Sequence, residues 1–296
     1  MRRGIGSMSV STSRRRWQAA GWTDAVAAVL VLALAVVNAV LLPRSLVVVI
    51  ERGPAVDWLQ FVEGGRRVFD GDLYETTATY GFRYSPIVAY VFAAIGGIGA
   101  VAWRLAHVAA ALALPTWPMR LLTLAAWPFW YDVETGNVMV LVVLAAAWAL
   151  RGNPVGIGAF LLLTLWFPRP LMLPILVYLL WKQPTWRVPA LVLAAVMAVP
   201  TIASGWALDW VRLLTTLGAE AGSPNNLGPT RFLGPWWLVI GIPLAAWLTR
   251  HGRLGWASLA ISFPYVLPYY LLMLVLELPE RIRAVRSARA RQGGLA

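Results

Sequence analysis

The sequence predicts an all-helical protein that crosses a membrane many times, and three observations carry that reading. Hydrophobic residues make up 59% of the 296 and charged residues 13%, about half the charged share of a soluble globular domain, so much of the surface must face hydrocarbon. The apolar residues fall in runs broken by Gly, Pro and charge. Lipid leaves backbone amides no partner but one another, so these runs predict a bundle of about 8–10 full or half-length helical spans. The net charge of +12 sits between the runs and at both ends, where cations set orientation; membrane lipids, and no nucleic acid, are the expected partners. Absence of cysteine excludes disulfides, thiolate nucleophiles and cysteine metal sites.

In chain order, residues 1–21 form a basic tail with five arginines and no acid. Trp22 to Leu42 reads as an uncleaved first span of about 21 residues, longer than a signal-peptide core and without a small-residue cleavage site. A polar external loop, 43–85, follows, and then "SPIVAYVFAAIGGIGAVAW", where Ser85 can cap and Pro86 suits the first helical position. This second span is expected to return to Arg104 at the inner side. Apolar runs of only about 10–14 residues occupy the next stretch, short enough to be half-spans around a cavity. Val188 to Ser204 reads as a span, residues 205–234 as a polar loop, Trp236 to Leu248 as a span and "FPYVLPYY" as a Pro-broken pair. The tail 280–296 carries five arginines. The positive-inside rule then places both termini in the cytoplasm and the 43–85 loop outside, with residues 22–279 as one transmembrane domain. Arg120, between two short runs, fits either side.

The 43–85 loop gathers the candidate chemistry. "DWLQFVEGGRRVF" has the pattern of a helix lying in the outer interface, apolar face down. Asp57 at its start either caps that helix, since Asp57 and Gln60 match a capping-box spacing, or is a free carboxylate beside the membrane. Asp70-Gly71-Asp72 resembles a metal-holding D-x-D but reads as a turn, and no metal ligands are expected. Arg83, flanked by Tyr80, Phe82 and Tyr84, either anchors to headgroups or binds an anion near a helix N-terminus. Arg169 in "WFPRPLMLP" lies between short apolar runs, where an arginine faces a partner or a cavity. Asp132, Glu134 and Asn137 in "WPFWYDVETGNVMV" either line such a cavity or cap helices. His107, alone and one turn from Arg104, reads as structural. Asn225 and Asn226 are turn formers, with ligand contact as the other reading. No G-x-S-x-G, phosphate-binding glycine loop or long repeat is present.

The order of these features resembles glycosyltransferase family 87, a group of membrane transferases of GT-C type that includes polyprenyl-phosphate-mannose-dependent enzymes of actinobacteria. The residues that carry the resemblance are "DWLQFVEGGRRVFDGDLY" and "FRYSP" in the outer loop, "GN" at Gly136 and Asn137, "LWFPRP", and "ISFPYVLPYY". It is specific in the stretch from Asp57 to Pro86 and thin elsewhere. Gly-Gln is common where Gly136 and Asn137 stand, and the late segment has Pro264, Tyr269 and Tyr270 without a histidine.

The resemblance implies a GT-C-like bundle that moves a hexose or pentose, mannose favoured, from a polyprenyl-phosphate sugar to a lipid or glycan acceptor at the outer face of the plasma membrane. It makes Asp57 the general base and Arg83 and Arg169 the donor-phosphate ligands; Tyr80, Asp132, Asn137, Asn226 and Tyr269 would contact substrate. No cofactor is expected beyond the lipid-linked donor. Two other classes fit the same broken helices: a lipid or sugar transporter, and a non-catalytic membrane subunit.

Overall fold

The structure, a computed structural model, describes residues 32–278 except 34, 52, 54, 75–80 and 217–224. The basic tails, the start of the first span and Tyr80 lie outside these residues. The described chain is helical throughout, as an apolar chain that must satisfy its own backbone requires. Three helical stretches, Pro86–Leu112, Pro184–Ala203 and Thr230–Arg250, are long and apolar enough to cross a membrane.

Contacts between segments sort the bundle into two ends. Helix α1 (Ala35–Ile50) runs through Pro43, well past the expected boundary at Leu42, and leads to α2 (Val56–Asp70). The α2 face carrying Trp58, Phe61 and Val68 is buried and Arg66 is exposed, an amphipathic pattern; Phe69, expected on the same apolar face, is exposed instead. It packs most extensively on α3 (Pro86–Ile95). Two glycines permit that approach: a Cβ on Gly64 would stand 2.2 Å from the Phe82 ring, and one on Gly65 2.6 Å from the Ala93 amide nitrogen.

A 3-10 turn at Gly96–Ile98 separates α3 from α4 (Gly99–Leu112). The expected second span is thereby corrected. Phe92 in α3 and Trp103 in α4 both pack on Trp58 of α2, and Arg104 bonds the Gly53 carbonyl, so α3 and Arg104 stay at the Asp57 end. Helix α4 leads away from that end to Ala113, whose carbonyl accepts the Trp148 indole at 3.0 Å. Helices α5 (Trp117–Ala125) and α6 (Trp127–Thr135) return in tandem; α7 (Met139–Ala149) and α8 (Pro154–Trp166) pack as an antiparallel pair. The 3-10 turn Pro170–Met172 and α9 (Leu173–Lys182) lead away again, and α10 (Arg187–Ala203) comes back with no buried residue, as a helix bathed in lipid would.

Helix α11 (Ala207–Thr216) lies at the Asp57 end, where Trp206 just before it meets Tyr74 edge to face. A loop and α12 (Thr230–Leu233) precede α13 (Trp237–Arg250), which runs away from that end. Short α14 (Leu254–Ala260) and the 3-10 segment Pro268–Glu277 pack together at the close. Glu277 accepts the Gly255 amide at 2.8 Å, capping α14 at the end far from Asp57. Arg120 belongs to that far end, bonding the Leu114 carbonyl at 2.7 Å. Gly152 and Gln183 meet there too, so Arg151, Lys182, Arg187, Arg250 and Arg253, at the adjoining helix termini, share it.

Candidate functional site

Asp57 does not cap its helix. The N-cap of α2 is Ala55, and no side chain bonds the first turn; Asp57 lies inside that turn, where the helix dipole still favours its charge. Its Oδ2 instead accepts a hydrogen bond from Asn137 Nδ2 at 2.7 Å. The Asn137 carboxamide has its orientation fixed, because its Oδ1 accepts the Val138 amide at 2.7 Å, leaving the NH₂ for the carboxylate. Asn137 follows Gly136, whose φ of +71° ends α6 in a left-handed turn. A Cβ there would also stand 2.9 Å from that of Trp58, so glycine is needed for both conformation and space.

Arg169 completes the centre from the far side of the chain. Its guanidinium lies over the Tyr84 ring at 5.3 Å and the Tyr265 ring at 5.9 Å, and Nη1 reaches the Tyr265 hydroxyl at 3.5 Å. Aromatic faces attract such a cation. Tyr270 stacks near Tyr265, and Tyr269 bridges Tyr270 to Tyr131 by ring contacts. The charge of Asp57 acts on Tyr84, Tyr131, Tyr269 and Tyr270. Burial pushes the Asp57 carboxyl above the ordinary carboxylate range; hydrogen bonds from Asn137 and Thr135 and the charges of Arg169 and Arg83 act against that rise. A carboxylate so placed is closer to the proton affinity a base needs than a solvated one.

No protein-family model, curated protein or solved structure matches this chain.

The remaining candidates divide between this centre and the scaffold. Asp132 is fully buried and accepts the Val140 amide at 2.8 Å and the Met139 amide at 3.4 Å, so it caps α7. Asn226 is likewise engaged by the fold, accepting the Gly228 and Val266 amides and donating to Thr230; it staples its loop to the segment before Tyr269. Glu134 accepts the Ser45 hydroxyl at 2.6 Å. Ser85 begins α3 but donates to the Trp166 carbonyl instead of capping; Pro86 brings no N–H, and the Val88 amide bonds the Ser85 carbonyl at 3.0 Å. Asp70 and Asp72 flank Gly71, a left-handed C-cap of α2, and among the described residues no group of three acids or histidines could hold a metal.

Tyr265 and Thr135 do not stand out in the sequence, and Tyr270 does so only as part of the late aromatic segment. The available signal was the cluster of aromatics in "FPYVLPYY", whose meaning depends on Arg169 lying opposite.

Proposed function

We propose that the chain is a membrane glycosyltransferase that moves a hexose or pentose, mannose favoured, from a polyprenyl-phosphate donor to a lipid or glycan hydroxyl at the outer membrane face. The observation that carries this reading is Asp57: a half-buried acid that caps nothing, is held by a donor with one allowed orientation, and lies in the field of an arginine framed by tyrosines. In this reading Asp57 takes the proton of the acceptor hydroxyl as its oxygen attacks the anomeric carbon. The bond from that carbon to the phosphate oxygen breaks, and the lipid phosphate departs with the electron pair. Arg169 and Arg83 offset the charge that builds on it. The resemblance of the Asp57–Pro86 stretch to family 87 points the same way.

The test is transfer itself. Membranes holding the protein are incubated with labelled polyprenyl-phosphate sugars and their lipids and glycans are examined for label. Transfer by the wild type and none by Asp57→Asn is expected. Absence of transfer from every such donor, with movement of the intact lipid or sugar across the bilayer, would establish transport instead.

A further inference from the structure

Helix α4 carries Trp103, Arg104 and His107 at the Asp57 end, and all three hold backbone carbonyls. Trp103 Nε1 donates to Gly136 O at 2.8 Å. Arg104 donates to the carbonyls of Gly53, Val133 and Glu134. His107, fully buried, faces the Trp103 carbonyl at 2.8 Å through Nδ1 and the Asn137 carbonyl through Nε2. A neutral imidazole has one N–H and one lone pair, so between two carbonyl oxygens one of its nitrogens would set lone pair against lone pair. Only the doubly protonated ring donates to both. Its surroundings supply the balancing negative charge: Asp132 Oδ2 stands 3.9 Å from Nε2, and the C-terminus of α6 presents the negative pole of a helix dipole. Burial and the Arg104 charge act against the imidazolium and the two carbonyl hydrogen bonds act for it; Arg104 itself has the Glu134 charge beside it.

We propose that His107 is held as an imidazolium and serves as a positioning residue for Asp57. Its N–H clamps the Asn137 carbonyl, while Trp103 clamps the preceding one. The main chain from which the Asn137 carboxamide reaches Asp57 is thereby fixed on both sides of the turn. The consequence for catalysis rests on the preceding reading of Asp57; the charge on His107 and its hold on Asn137 do not.

The chain has two histidines, so His251→Gln leaves His107 as the single reporter. In that variant, labelled with ¹⁵N-histidine and held in lipid nanodiscs, both ring nitrogens are expected to resonate as protonated at pH 8, where a free imidazole is neutral. A nitrogen at the position of an unprotonated imidazole overturns the proposal. The hold on Asp57 is read separately, from the infrared carboxyl bands lost in Asp57→Asn. Those bands should shift in His107→Gln, whose single amide cannot reach both carbonyls; unchanged bands in a folded His107→Gln protein would show that His107 does not position Asp57. Neither readout involves a sugar donor, so failure of the transferase reading leaves both results standing.

Discussion

At the scale of single residues, Asp57 is not the cap of α2, so its proposed role as a base can be tested apart from capping. Asn at position 57 could still accept the Asn137 hydrogen bond through its own amide oxygen but could not take a proton. Asp57→Asn is therefore expected to melt within about 1 kcal/mol of wild type, the size of a lost dipole interaction, while transfer falls roughly 100-fold to 10,000-fold. The Asn137 bond favours the ionised carboxylate. Removing it in Asn137→Ala should raise the Asp57 pKa further, and because a base acts deprotonated, the rising limb of the rate against pH should move to higher pH. A limb that stays in place would detach Asn137 from the chemistry. Arg169 is planar between Tyr84 and Tyr265, a setting a compact ammonium cannot fill. Both Arg169→Gln and Arg169→Lys should raise the apparent KM for the lipid donor, with lysine a poor rescue; wild-type donor dependence in either would remove the phosphate role.

At the scale of elements, short helices survive here because side chains from other helices finish them. Helix α7 starts on the Asp132 carboxylate, α14 on Glu277, and the end of α6 on Arg104, Trp103 and His107. Each arrangement satisfies termini that lipid would leave bare. The turn at Gly136 is the joint among them. A left-handed conformation costs a residue with a side chain about 1–2 kcal/mol, and the clash with Trp58 adds to it. Gly136→Ala should thus lower the melting temperature and, by displacing Asn137, reduce transfer more than its loss of stability explains. A full-strength Gly136→Ala enzyme would show that the turn does not position Asp57.

At the scale of the whole molecule, the bundle has a chemically distinct end. Asp57, Arg83, Arg169 and the tyrosines gather at one, and Arg120, Arg151, Lys182, Arg187, Arg250 and Arg253 at the other. Cations outside the hydrocarbon collect on the cytoplasmic side, so the Asp57 end is expected to be external. The chain has no cysteine, and Asp70 and Arg151 are exposed at opposite ends. An impermeant thiol reagent applied to intact cells should label Asp70→Cys and spare Arg151→Cys; the reverse pattern would invert the orientation.

Composition and run length by themselves determined that this chain is a helical membrane protein, because the cost of bare amides in lipid leaves an apolar chain no alternative to helices. The α2 pattern was equally legible, since its amphipathic spacing is local, and so was the concentration of charge after Asp57. What the tertiary structure decided was which polar side chains cap helices and which do not. Capping and catalysis use the same residue types at helix starts, so Asp57, Asp132 and Asn226 read alike in sequence. Only the partners brought from elsewhere, Asn137 for the first, the α7 amides for the second and Val266 for the third, tell them apart. The same holds for α3 and α4. Their combined length suits one span, but the packing of Phe92 and Trp103 on Trp58 keeps α3 and the start of α4 at one end, a result fixed by contacts between helices and absent from the hydropathy of either.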